Sequence, residues 1–226
     1  MAKEVKKKRS FHSANVAVIG LGRFGSALAT ELMNSGHQVL GIDSDDRIVQ
    51  SLSTVLTHVV SADTTDEDNL RELGIADMDS AVVAIGADLE ASILTASLLL
   101  QLGVKQVWAK ANSTSHGRIL KQIGVHQVIF PEYEMGRRVA HQVSGESLDY
   151  VHIDEDFVMV KTYVPQVFEG MLLSEAKIRA SFGVTVVAIN DGNGYKPAFP
   201  ESVLKKGDTI VIAGPKGPLD QFCQLD

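Results

Sequence analysis

Val16-Ala17-Val18-Ile19-Gly20-Leu21-Gly22-Arg23-Phe24-Gly25 is the stretch from which the rest of the chain is read. Four apolar residues read as a buried strand, G-x-G-x-x-G follows as a turn, and Ser26 to Asn34 is compatible with a helix. That order places helical N–H groups where a pyrophosphate can bind. Gly20 permits the tight turn, Gly22 lets the backbone approach phosphates, and Gly25 lets helix and strand pack closely. A second apolar strand, Gln38-Val39-Leu40-Gly41-Ile42, ends at Asp43, near the roughly 20-residue spacing expected for an acid that binds a ribose diol.

Outward from this unit the alternation continues. Strands are expected at Val16–Ile19, Val39–Ile42, His58–Ser61, Ala81–Ile85, Gln106–Lys110 and Gln127–Phe130. Helices are expected at Ser26–Asn34, Asp46–Leu52, Glu67–Leu73, Leu89–Leu102 and Thr114–Ile123, several ending at a glycine (Gly36, Gly74, Gly103, Gly124). The pattern is that of an α/β, Rossmann-like, doubly wound parallel sheet. Pro131 stops the last strand, and Glu132–Val143 reads as a helix leaving the domain.

After Ser144-Gly145 the grammar changes. Val158, Val160, Thr162 and Val164 alternate with Met159, Lys161 and Tyr163, a half-buried strand. A helix at Ser174–Ser181, strands at Val184–Ile189 and Thr209–Ala213, and a final helix at Leu219–Gln224 complete a small α+β lobe, with Asn190-Asp191-Gly192-Asn193-Gly194 as a turn. The expected division is a basic tail over 1–14, a nucleotide-binding domain with its exit helix over 15–145, and a second domain over 146–226. The segment Ile93–Leu100 has apolar residues on more than one helical face, which implies burial within the domain or a subunit interface.

Composition narrows the function. At 226 residues, 45% hydrophobic and 22% charged, the chain has the make-up of an ordinary globular protein. A net charge of −7 argues against nucleic acid as the main partner. The exception is Lys3-Glu4-Val5-Lys6-Lys7-Lys8-Arg9, a solvated arm or a contact for an acidic partner or anionic membrane. One cysteine, Cys223, excludes an intramolecular disulfide framework. Without a signal peptide or a run of about 18 apolar residues, the expected setting is cytoplasmic.

The seven histidines show no metal spacing, G-x-S-x-G is absent, and Ser174-x-x-Lys177 lacks its companion motifs. The expectation is therefore a binding protein and not an enzyme. An NAD(P)-dependent oxidoreductase is the alternative, and a redox-sensing DNA-binding regulator a third reading. Arg23 can reach phosphate oxygens from the turn or can be an exposed helix residue. Glu132, after Pro131, can hold a cation beside a polyphosphate or complement a helix dipole. Asp63 can serve the adenine edge or cap a helix.

With these residues placed, the chain resembles the KtrA family, cytosolic RCK (regulator of potassium conductance) subunits of bacterial Ktr potassium uptake systems. The resemblance rests on residues 16–25, on Ala84-Ile85-Gly86-Ala87, Val107-Trp108-Ala109-Lys110-Ala111, Ile123-Gly124 and Phe130-Pro131-Glu132-Tyr133-Glu134-Met135-Gly136. It implies ATP or ADP, or NAD(H), at the glycine turn. Arg23 would meet the terminal phosphate, Asp43 the ribose, and Glu132 a nucleotide-bound Mg2+ or Ca2+. Phe24, Gly86 and Lys110, which lie in the matching segments, join this cofactor-binding set. The resemblance further implies homodimers assembling into an octameric ring beneath a membrane potassium-translocating subunit, hence a peripheral place on the cytoplasmic face. It also implies cyclic di-AMP binding between C-terminal lobes, around Ile178, Arg179 and Pro200, although the stretch between Ala188 and Pro200 departs from the family pattern in length and polarity.

Overall fold

The computed structural model describes residues 13–145 and 147–225, so the basic cluster at 3–9 lies outside the described residues. The chain forms two compact units, one ending at Pro131 and one beginning at Glu132.

In the first unit strands and helices alternate: β1 (Asn15–Ile19), α1 (Arg23–Asn34), β2 (Gln38–Asp43), α2 (Asp46–Leu52), β3 (His58–Ser61) and α3 (Glu67–Glu72). After a short 3-10 turn come β4 (Ser80–Val83), α4 (Leu89–Gln101), β5 (Val107–Lys110), α5 (Thr114–Gln122) and β6 (Gln127–Ile129). The six strands are parallel in the order β3-β2-β1-β4-β5-β6, the doubly wound arrangement expected.

β1 explains why its sequence is uninterrupted by polar residues. Ala17 and Ile19 enter one core with Ile42, Leu70, Leu99 and Val107, while Val16 and Val18 enter a second with Ala29, Val39, Leu56 and Val82. A strand covered on both faces has no polar side to alternate. Each fully buried Ile or Leu in such a core contributes about 1.5–3 kcal/mol. Gly36, Gly74, Gly103 and Gly124 all have positive φ, as the helix ends required. In α4, Thr95, Ala96 and Leu99 are buried and Ile93, Leu98 and Leu100 pack partly against the core, which leaves Leu89 and Leu94 exposed. The apolar surplus of that helix is thus mostly absorbed within the unit.

The second unit carries α6 (Pro131–Val143), β7 (Asp149–His152), β8 (Phe157–Tyr163), α7 (Leu173–Ala176), α8 (Ile178–Phe182), β9 (Thr185–Asn190), β10 (Tyr195–Pro197), β11 (Thr209–Pro215) and α9 (Lys216–Cys223). Its sheet runs β10-β9-β11-β8-β7, antiparallel throughout. Val158, Val160, Ile210 and Ile212 point into a core closed by Phe168, Phe182 and Phe222, whose rings lie 5.5–6.1 Å apart. The expected helix Ser174–Ser181 is instead two short helices, because Lys177 adopts φ 48°, the left-handed region, and ends α7. From Glu132 onward α6 belongs to this unit and not to the preceding domain: Arg138 pairs with Asp149, and the His141 ring stacks on Tyr150 at 3.8 Å.

Candidate functional site

The glycine turn after β1 is built by close approaches that only glycine allows. Gly20 sits at φ +89°, its N–H donates to the Ile42 carbonyl at 2.8 Å, and a Cβ there would lie 2.9 Å from the Ile85 nitrogen. A Cβ on Gly25 would lie 1.9 Å from the Gly20 carbonyl oxygen. Gly22 differs: a Cβ on it would meet nothing within 4 Å. Its freedom from crowding marks open space beside the backbone, where a phosphate would approach.

The electrostatics of α1 point the same way. The next four helices have side-chain caps: Asp45, Asp66, Asp88 and Ser113 accept from the first-turn amides of α2, α3, α4 and α5. α1 starts at Gly22 with no side-chain cap and no acid in its first turn. Its first-turn amides and the positive end of its dipole are left for an anion. The helix begins at the carboxyl ends of β1 and β4, where strand order reverses, the position at which open α/β sheets take ligands.

Around this end the structure brings together most of the residues anticipated for it. Arg23 is the first residue of α1 and exposed. Lys110, at the end of β5, holds its Nζ 6.0 Å from the Phe24 ring centroid and beside Gly86, 3.3 Å from where a Cβ would be. Asp43 accepts the Leu21 N–H on Oδ2 at 2.7 Å and the Asp45 N–H on Oδ1 at 2.9 Å. It anchors the glycine turn and keeps further lone pairs for a diol. Asp63 is an exposed turn cap, accepting from the Thr65 hydroxyl and amide, and these bonds hold its carboxyl below the usual range. Asn112, not singled out from the sequence, donates its side-chain amide to the Gly86 carbonyl. An amide side chain just beyond β5 was the available signal.

The remaining anticipated residues lie in the second unit. Glu132 is the second residue of α6 and an acid in its first turn. Arg179 is exposed and donates from Nε to Thr185 Oγ1 at 3.2 Å. Pro200 is exposed, its carbonyl taking the Ser174 N–H, whereas Ile178 packs in the core at 2% exposure. Among the described residues no three His, Cys, Asp or Glu side chains converge as a metal site. Among the described residues no helix is long and apolar enough to cross a membrane.

Comparison with known proteins identifies the family. Residues 16–131 match the TrkA-N domain family and residues 158–225 the TrkA-C domain family. The chain is 35% identical over 208 residues to Ktr system potassium uptake protein A of Bacillus subtilis (strain 168), covering 91% of this chain and 94% of that one. To the Ktr system potassium uptake protein A of Vibrio alginolyticus it is 36% identical over 205 residues, covering 90% and 93%. Among solved structures, the GsuK channel bound to NAD superposes with a TM-score of 0.68 at 18% identity, over 93% of this chain and 39% of that one. GsuK bound to ADP gives 0.52 at 18% identity, over 59% and 35%. The chain thus spans well under half the length of those channel chains, and the likeness shows a shared fold. With a TrkA-N domain, a TrkA-C domain and relatives matched along nearly their whole length, the chain belongs to the KtrA family of RCK regulatory subunits of Ktr potassium uptake systems.

Proposed function

We propose that this chain senses adenine nucleotides at the glycine turn and reports their identity to a membrane potassium-translocating subunit, acting as a regulator and not as an enzyme. The observation that carries this reading is the uncapped start of α1, with Gly22 open and Arg23 beside it, in a unit whose other helices are capped. The likeness to GsuK structures bound to NAD and to ADP supports an adenosine-diphosphate portion in the same fold. ATP and ADP are the assigned ligands, and NAD(H) shares that portion.

Arg23 would meet the terminal phosphate that distinguishes ATP from ADP, Asp43 the ribose, and Lys110 and the first-turn amides of α1 the remaining negative charge. Glu132 would hold a divalent cation bound with the nucleotide, and the cation would offset the repulsion between carboxylate and polyphosphate. Magnitudes then constrain the assembly. Moving a two-state equilibrium from 1:99 to 99:1 takes about 5.5 kcal/mol of differential binding. A hydrogen bond to a charged group contributes about 1.5–3 kcal/mol. One Arg23 is too little, and several acting together suffice, so the reading calls for a homodimer built into a larger ring, octameric in the family, on the cytoplasmic face of its membrane partner. Cyclic di-AMP, if it acts on the second unit, would meet Arg179 and Pro200 at the surface, with Ile178 behind them in the core.

Calorimetric titration of ATP and ADP into wild type and Arg23→Ala tests the assignment. The variant should lose its ATP preference and keep ADP binding; an intact ATP preference would remove Arg23 from the role. Glu132→Gln should abolish the effect of Mg2+ or Ca2+ on ATP affinity, and an unchanged metal dependence would take Glu132 out of the site.

A further inference from the structure

Asn112 and His116 form a support beneath the loop that follows β4. Asn112 is exposed; its side-chain amide donates to the Gly86 carbonyl, and its backbone N–H donates to Nδ1 of His116 at 3.3 Å. His116 is the third residue of α5, 1% exposed, and its own N–H donates to the capping Ser113 Oγ at 3.1 Å. The start of α5 therefore sets the imidazole, and the imidazole sets the Asn112 backbone.

The ring is retained at a cost. A nitrogen that accepts is unprotonated, so the neutral ring carries its proton on Nε2. That Nε2 is buried without a hydrogen-bond partner. A leucine would fill similar space and leave no polar atom unpaired. What histidine adds is the Nδ1 acceptor. Burial, with no charged neighbour opposing it, lowers the His116 pKa and keeps the ring in the accepting form.

We infer that His116 is a positioning residue for the nucleotide site: through Asn112 it holds the Gly86 loop against the glycine turn. The Ile85 backbone of that loop lies 2.9–3.1 Å from where a Gly20 Cβ would stand, and Lys110 Nζ lies 3.3 Å from where a Gly86 Cβ would stand. The loop is thus one wall of the space beside α1, and binding sites depend on such walls being held to about half an ångström. The inference rests on the proposed nucleotide role.

The test is ADP titration of the full chain, with thermal melts in the absence of nucleotide. Asn112→Ala, a surface change, should melt as wild type and bind ADP roughly tenfold more weakly. His116→Leu should weaken binding similarly, and the double variant should be no weaker than either single, because both break the same link. His116→Asn places Oδ1 where Nδ1 accepts and should restore affinity. Wild-type affinity in Asn112→Ala, additive losses in the double variant, or no recovery in His116→Asn would each overturn the inference. Should His116→Leu not fold, Asn112→Ala and His116→Asn decide alone. A wild type that binds none of ATP, ADP and NAD would overturn the proposed function and this inference with it, whereas normal wild-type binding with unaffected variants overturns this inference alone.

Discussion

The Leu21 amide donates to Oδ2 of Asp43 at 2.7 Å, so the acid that ends β2 holds the turn that follows β1. In the proposed function Asp43 would serve twice, as anchor of the loop and as acceptor for a ribose. Asp43→Ala removes both functions and should weaken ADP binding roughly 10–100-fold, the range of a lost hydrogen bond to a charged group. Asp43→Asn keeps a carbonyl acceptor for Leu21 and should lose less. Calorimetry on the two variants separates the roles: equal losses would mean that the charge, and not the anchor, is what binding requires.

Gly22 and Gly25 lie three residues apart and should fail in opposite ways. Gly25→Ala places a methyl 1.9 Å from a backbone oxygen, which has no flexible side chain to yield. It should expose the turn or prevent folding, seen as a lost or sharply lowered melting transition. Gly22→Ala meets no protein atom and has an ordinary φ of −63°. It should fold with stability within about 1 kcal/mol of wild type, the cost of alanine at a helix cap. Its methyl should nevertheless abolish ADP binding by occupying the phosphate's approach.

The first unit was legible because its signals are local and redundant: apolar runs mark the strands, a glycine of positive φ follows α1, α3, α4 and α5, and a capping acid or serine opens α2, α3, α4 and α5. β7 and β10 were not anticipated. Both are edge strands, and Asp149–His152 and Tyr195–Pro197 carry too few buried residues to show an alternating pattern. Lys177 gave no warning either, since a lysine in the left-handed region is chosen by tertiary context and not by local preference. In the site, Gly20, Gly25 and Asp43 were readable from spacing. The link from His116 through Asn112 to Gly86 was not, because 26 residues separate Asn112 from Gly86 and only the parallel pairing of β4 with β5 brings them together.

Arg138 grips Asp149 through two parallel bonds, Nε to Oδ1 and Nη2 to Oδ2, each 2.7 Å, tying α6 to β7. The Arg138 side chain foremost, and the Tyr150 amide with it, holds the Asp149 carboxyl below its ordinary 3.8. A depressed folded-state value means that the stabilisation is fully present above the unfolded value and is lost as pH falls through the folded one. Asp149→Asn should therefore melt below wild type at about pH 7, with the gap narrowing as the pH is lowered past 3.8. A gap that stays constant over that range would show that packing, and not the ion pair, accounts for the difference.

α6 also carries Met135, Val139 and Val143 at intervals of four, 53%, 43% and 81% exposed. Residues four apart share one face of a helix, so the three form a single apolar stripe. An uncovered stripe of this kind is costly in water, and burying it against a second copy would remove that cost. The dimer that the proposed function requires would supply such a cover. Val139→Glu places a charge at the middle of the stripe, where burial without a partner is strongly unfavourable. Native mass spectrometry and sedimentation should then show fewer subunits per particle than in wild type, while the melting transition persists. An unchanged particle would move the dimer contact off this face and turn the search to Leu89 and Leu94 on α4, large apolar side chains that helix leaves exposed.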